Sequence, residues 1–196
     1  NSAHQKYTQK DWITKPTIFA TQVIKYFPER AKILELGCGQ GQDTKYFIDQ
    51  GFMIVACDFS QFALDQAKTK VNIEFNLVDM SRPLEFQRES FDVIYSHLAL
   101  HYFDKKRTQE LFDEIYDILK PDGIFATLTN TMEDPEIKDG RFIEPDYYEF
   151  ETIKKRFFSV DSMREFTKKF EPILLDAHGE THKDEIKTLI RFVGRK

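Results

Sequence analysis

The chain has 196 residues, 41% hydrophobic and 31% charged, with 8 Gly and 7 Pro. That is one ordinary domain's length with apolar surface enough for a core, and it excludes disordered, collagen-like and linker-like chains. The net charge of −5 is uneven: residues 1–150 hold 17 Lys and Arg against 25 Asp and Glu (net −8), and residues 151–196 hold 11 against 8 (net +3). A net-acidic chain is poorly suited to long polyanions such as nucleic acids, whose phosphate contacts need clustered Lys and Arg. Asn1 to Trp12 is polar with no apolar h-region, so no signal peptide is expected. The absence of an initial Met suggests a processed or trimmed chain. Ile33 to Leu36 reads as a buried strand ended by glycines, and residues 42–50 as a helix stopped by Gly51. Phe52 to Cys57 is a second strand, and Ser60 caps a helix running to about Lys70. Ile73 to Val78 and Phe91 to Ser96 are further strands. Lys105 to Leu119 is a helix with Leu111, Phe112, Ile115 and Leu119 at helical spacing. Pro121-Asp122-Gly123 is a turn before a strand from Ile124 to Thr129. Residues 130–170 are polar, rich in aromatics and weakly patterned, which reads as a non-core insertion serving as a lid or substrate wall. Pro172 to Asp176 and Thr188 to Val193 read as a hairpin at the sheet edge. No apolar run approaches the ~20 residues of a membrane span, so no membrane association is expected.

Alternating strands and helices imply an α/β fold: a doubly wound, largely parallel sheet covered on both faces. Such sheets bind ligands at the carboxyl ends of their strands. There lies Glu35-Leu36-Gly37-Cys38-Gly39-Gln40-Gly41, a strand-to-helix turn whose glycines admit a ligand close to the backbone. Asp58 ends the next strand, where an acid can accept hydrogen bonds from both hydroxyls of a ribose. A dinucleotide and S-adenosylmethionine both fit this much. The dinucleotide fingerprint G-x-G-x-x-G/A needs a small residue where Gln42 stands, and Glu35 would repel a pyrophosphate. Both departures favour a ligand carrying an ammonium and a sulfonium.

Glu35 to Gly41 resembles the first motif of class I S-adenosylmethionine-dependent methyltransferases. The resemblance continues through Ala56-Cys57-Asp58-Phe59-Ser60, Val78-Asp79-Met80, the stretch from Phe91 to Tyr102, and Leu119-Lys120-Pro121-Asp122-Gly123. It spans roughly residues 30–130 and implies a Rossmann-like seven-stranded sheet, mostly parallel with an antiparallel last strand, and a single methyltransferase domain over 1–196. Carried across, it implies that Gly37, Gly39 and Gly41 shape the turn under the methionine moiety and that Glu35 helps hold its ammonium. Asp58 takes the ribose hydroxyls, Phe59 packs on adenine, Asp79 accepts from the adenine amino group and the Met80 backbone meets the ring edge. Ser96 and His97 face the sulfonium and the acceptor. Tyr7 and Trp12 match an aromatic lid before the first helix. The chain is also loosely similar to the small tellurite-resistance and thiol methyltransferases.

Other residues have blander readings. Asp43 suits the first turn of its helix, where an acid complements the dipole. Cys38 and Cys57 read as small buried fillers and, as only two, imply a reducing, cytoplasmic setting. The runs Lys105-Lys106-Arg107 and Lys154-Lys155-Arg156 read as solvated helix faces. His97 and His101 stand four apart beside the expected donor. His97 is the candidate general base, and His101 a substrate contact or the opening of a helix. His178 and His182, in a predicted turn, lack a third ligand, so no metal is expected. Tyr147 and Tyr148 are the candidate walls of the acceptor pocket.

The expected activity is methyl transfer from S-adenosylmethionine to a small molecule, releasing S-adenosylhomocysteine. The chain has Ser96-His97-Leu98-Ala99 where nucleic-acid amino-methyltransferases carry two prolines, and it lacks the glutamate pair of protein arginine methyltransferases. The alternatives are a non-catalytic S-adenosylmethionine-binding protein and an NAD-dependent oxidoreductase. The sequence leaves the accepting atom and the oligomeric state open.

Overall fold

A computed structural model describes residues 15–182 and 188–196. Tyr7 and Trp12 lie outside the described residues. In chain order the elements are α1 (Ile18–Val23), β1 (Lys32–Leu36), α2 (Gln42–Asp49), β2 (Met53–Asp58), α3 (Gln61–Lys68), β3 (Phe75–Leu77), β4 (Phe91–His97), α4 (Lys105–Ile118), β5 (Leu119–Asn130), β6 (Arg141–Glu144), β7 (Tyr147–Phe150), β8 (Ile153–Arg156), α5 (Val160–Phe166), β9 (Glu171–Gly179) and β10 (Leu189–Arg195). Short 3₁₀ turns follow α1 and precede β6.

Seven strands form one sheet in the order β3-β2-β1-β4-β5-β10-β9. Strands β1 to β5 are parallel, and β10 runs antiparallel to both of its neighbours. The expected seven-stranded α/β sheet with an antiparallel last strand is therefore present. The tail hairpin also forms, but only β9 is at the edge; β10 inserts between it and β5. The fold reverses direction outward from β1 on both sides, and the gap between β1 and β4 is the switch point where doubly wound sheets open a crevice.

Side-chain alternation explains the two layers. On one face Ile33, Val93, Tyr95 and Leu128 pack under α1 and α2, and Ala56 packs under α3. On the other, Leu34, Leu36, Ile94 and Phe125 pack under α4 and α5. The helix α4 buries Leu111, Phe112, Ile115 and Ile118, each contributing about 1.5–3 kcal/mol. Helix starts are set by side-chain caps: Thr17 on α1, Ser60 on α3, Asp104 on α4, and a Ser159–Ser162 capping box on α5. The expected turn at Pro121 to Gly123 bulges out of β5, where pairing steps from Phe91–Leu119 to Val93–Ile124 and Asp122 adopts a φ of +62°.

Residues 130–170 differ from the expected non-core insertion. Strands β6, β7 and β8 do form a separate antiparallel sheet. But Phe158, Met163, Phe166 and Phe170 enter the main core, with Phe158 stacked parallel to Phe112. Helical spacing of Met163 and Phe166 was present in the sequence, hidden among charged neighbours. Lys154-Lys155-Arg156 lies on strand β8 rather than a helix, and Arg156 is buried. Its guanidinium donates to the carbonyls of Phe103 and Pro145 and pairs with Glu144, and it lies over the rings of Tyr147 and Phe166. This one side chain ties the small sheet to the loop after β4.

Candidate functional site

The turn after β1 is built from three left-handed residues: Gly37, Gly39 and Gly41 have φ of +78°, +53° and +77°. Two of them also need the missing side chain. A Cβ on Gly37 would stand 2.3 Å from Ala99 Cβ, and one on Gly41 2.9 Å from Ala67 Cβ. Gly37 thus admits the loop after β4, and Gly41 lets α3 pack against the start of α2. The amides of Gly37 and Cys38 both donate to the Cys57 carbonyl at 2.9 Å, which pins the turn to β2. Asp58, at the end of β2, is buried and accepts from Gly39 N and Ser60 N, each at 2.9 Å. Its two oxygens keep further lone pairs for a ligand. Phe59, next to it, is 65% exposed, which excludes the core role for its ring.

The loop after β3 closes the same edge. Val78 N donates to the Asp58 carbonyl at 3.0 Å. Asp79 is exposed, and its Oδ1 accepts from Ser81 N at 2.9 Å; hydrogen bonding from Ser81 holds its carboxyl below the usual range, so it is an anionic acceptor. The Met80 side chain is buried, with Cε 3.9 Å from where a Gly37 Cβ would stand. The loops after β1, β3 and β4 therefore meet at Gly37.

Glu35 is buried beneath the turn, its Oε2 accepting from Thr44 Oγ1 at 2.6 Å. Burial, and then the negative charges of Asp43 and Asp58, push its carboxyl well above the usual range. Three acids converge here, and a cationic group at this place relieves their mutual repulsion. Asp43, read as a first-turn acid, does sit in the first turn of α2, but its carboxylate is engaged elsewhere. It accepts from Thr17 N at 2.7 Å, Thr17 Oγ1 at 2.8 Å and the Tyr95 hydroxyl at 2.6 Å, all buried. The network locks α1 to β4 behind the turn. No local pattern announces it, since Thr17, Asp43 and Tyr95 are far apart in sequence. Cys38 and Cys57 are buried free thiols, as expected, and burial pushes both thiols up.

The other expected residues lie past β4. Ser96 is fully buried, and its hydroxyl donates to the Leu36 carbonyl at 2.9 Å, so in this structure it ties β4 to β1 under the turn. His97 is half-buried at the strand end, paired with Leu128 across to β5. The four-residue spacing to His101 is not helical. Leu98 turns the chain with a φ of +54°, and α4 begins only at Lys105 behind the Asp104 cap. His101 is 3% exposed, its ring tilted on Tyr102 at 4.3 Å and its carbonyl accepting from Arg156 N at 2.7 Å. It neither opens a helix nor faces solvent. Tyr147 is buried with its hydroxyl donating to the Tyr102 carbonyl at 3.2 Å, whereas Tyr148 is half-buried between Phe142 and Phe157. His178 lies on β9, and the His182 ring bonds the Pro16 carbonyl at 3.0 Å. Among the described residues no cluster of three metal-ligating side chains exists, and no helix is long and apolar enough to cross a membrane.

Known proteins are similar to this chain in sequence and in fold. The model of the methyltransferase-domain family matches residues 33–123. An uncharacterized methyltransferase of Synechocystis is 35% identical over 95 residues, 48% of this chain and 45% of that relative. The chain spans between 39% and 61% of the length of curated relatives that it matches. A methyltransferase of Methanosarcina mazei superposes with a TM-score of 0.77 at 18% identity, over 89% of this chain and 96% of that one. The Burkholderia thailandensis 1,6-didemethyltoxoflavin-N1-methyltransferase, solved with its substrate and S-adenosylhomocysteine, gives a TM-score of 0.76 at 19% identity, over 100% and 82%.

Proposed function

From the premise that this chain carries a class I S-adenosylmethionine-dependent methyltransferase domain, we propose that it transfers the methyl group of S-adenosylmethionine to a small-molecule acceptor. The observation that carries the donor assignment is the buried Glu35 under a three-glycine turn, with only acids as its charged neighbours among the described residues. An ammonium suits that place and a pyrophosphate does not. In this reading Glu35 faces the ammonium of the methionine moiety, Asp58 accepts from the ribose hydroxyls, the Phe59 ring covers adenine, and Asp79 with the Met80 backbone reads its edge. When bound, S-adenosylmethionine supplies an electrophilic methyl on a positively charged sulfur. The chain's task is to orient the acceptor in line with that methyl and to exclude water, which is worth about 7–11 kcal/mol in well-aligned cases. In the same reading His97, at the end of β4, is the candidate general base for a hydroxyl or amine acceptor. Its neighbour Ser96 acts from below, through the Leu36 carbonyl.

Residues 130–170 contribute the acceptor wall through Tyr148, while Tyr147 and Arg156 hold that wall in place. A net acidic chain favours a small molecule over a nucleic acid. The relative that resembles this chain in fold and acts on 1,6-didemethyltoxoflavin accords with that class.

The test is calorimetric titration with S-adenosylmethionine, S-adenosylhomocysteine and NAD, followed by measurement of S-adenosylhomocysteine release with thiol, amine and hydroxyl acceptors. Binding of the first two ligands and turnover with one acceptor class is the expected result. Tight NAD binding overturns the donor assignment. Donor binding with no turnover on any class indicates a non-catalytic binding protein.

A further inference from the structure

Arg107, read in the sequence as part of a solvated charge run, is only 12% exposed, whereas Lys106 beside it is 86% exposed. From the first turn of α4 its Nε donates to the Met80 carbonyl at 2.9 Å and its Nη2 to the Arg82 carbonyl at 2.7 Å. The same guanidinium grips Glu114, two turns along α4, with Nη1 to Oε1 at 2.7 Å and Nη2 to Oε2 at 2.9 Å. Glu114 Oε2 in turn accepts from Leu84 N at 3.1 Å. The loop 79–84 is thus drawn onto α4 at three backbone groups on alternate residues, Met80, Arg82 and Leu84. An open cleft of about 420 Å³, lined by Leu77, Asp79, Arg82, Pro83 and Phe86 among others, borders the same loop.

We infer that the Arg107–Glu114 pair is a positioning device for purine recognition, setting the loop that carries Asp79 and Met80 and so deciding which base the donor site accepts. This rests on the reading of Asp79 and the Met80 backbone as the adenine contacts. The Met80 carbonyl is drawn to Arg107, while Asp79 Oδ1 accepts from Ser81 N and its Oδ2 lies 3.8 Å from Arg82 Nε, so the contacts of this loop orient the Asp79 carboxylate relative to the Met80 backbone. Four hydrogen bonds leave the three nitrogens of this guanidinium, to two carbonyls and both oxygens of one carboxylate, and an ammonium has only three N–H donors on a single atom. Lysine carries the charge but not that geometry.

The experiment is isothermal titration of the full chain with S-adenosylhomocysteine and with S-inosylhomocysteine, which carries a 6-oxo group in place of the adenine amino group. The wild-type chain is expected to prefer S-adenosylhomocysteine by about tenfold or more, since a site built to accept from an amino group rejects an analogue lacking it. Arg107→Lys is expected to shrink that preference to about threefold or less, with the affinity for S-inosylhomocysteine changed by less than about twofold. Glu114→Gln is the milder variant, expected to lie between the two, and it serves if Arg107→Lys does not fold. Full preference retained in the variants overturns the positioning role while leaving Asp79 and Met80 as contacts. Equal loss of both ligands, together with a lowered melting temperature, also overturns it. Absence of any preference in the wild-type chain overturns the reading of Asp79 and Met80 itself, and the inference with it.

Discussion

Replacing Asp43 by Ala tests whether the structure behind the glycine turn depends on one carboxylate. The substitution removes three buried hydrogen bonds, from Thr17 N, Thr17 Oγ1 and the Tyr95 hydroxyl, at 2.7, 2.8 and 2.6 Å. Each bond to a charged acceptor contributes about 1.5–3 kcal/mol, but the three are not additive. The two hydroxyls lie 3.1 Å apart and can satisfy one another, which leaves only the Thr17 amide unpaired. Loss of the charge also relieves Glu35, whose carboxyl Asp43 pushes upward. The net cost is then about 3–5 kcal/mol, a large part of the 5–15 kcal/mol that holds an ordinary domain together. At about 2–4 °C per kcal/mol for this length, the melting temperature should fall by about 6–20 °C. Asp43→Asn keeps one acceptor for the Thr17 amide and offers its NH2 to hydroxyls that can turn to accept, so it should cost about 1–2 kcal/mol. Tyr95→Phe, which removes one donor only, should cost a similar amount. Thermal and urea unfolding followed by circular dichroism provide the comparison. A loss below about 1 kcal/mol for Asp43→Ala would refute the idea that this network locks α1 to β4.

Four further outcomes follow from the site. Because burial and acidic neighbours raise the Glu35 carboxyl in the folded chain, its contribution to stability is full below the ordinary range near pH 4.3 and declines as pH rises through the raised value; Glu35→Gln should flatten that decline while weakening S-adenosylmethionine binding, and an unchanged pH profile of the melting temperature would remove Glu35 as its source. Asp58→Ala should weaken S-adenosylhomocysteine binding by about 10- to 150-fold in a titration, corresponding to the loss of about 1.5–3 kcal/mol, and unchanged affinity would take Asp58 out of the site. Gly39→Val should abolish donor binding, because a branched residue at a φ of +53° strains the turn whose amide reaches Asp58; normal binding would show the loop to be placed wrongly. Tyr147→Ala should lower stability by about 3–5 kcal/mol through its buried ring, whereas Tyr148→Ala should impair acceptor turnover more than donor affinity or melting temperature; the reverse pattern would exchange their roles.

The parallel sheet, its helices and the turn at its ligand edge were legible from the chain alone, because each is coded locally. Alternating apolar runs, caps such as Ser60 and left-handed glycines act within a few residues of where they stand. The sequence could also place Glu35 and Asp58 at strand ends, since a strand's length decides where its last residue falls. What tertiary structure alone decided is which polar groups meet. Asp43 looked like a dipole acid until Thr17 and Tyr95 came to it across 26 and 52 residues. Arg107 and Arg156 looked solvated because a charge run reads the same whether its guanidinium faces water or backbone carbonyls. His101 could have opened a helix, but Leu98 turned the chain after His97 and the helix begins only at Lys105. The aromatic tract after β5 divided between core and small sheet, because that division depends on the surface α4 and β5 present to it. Periodicity along the chain reports an element's own apolar face. The partner of a buried charge is set by where other elements dock, and that information exists only once the sheet has been assembled.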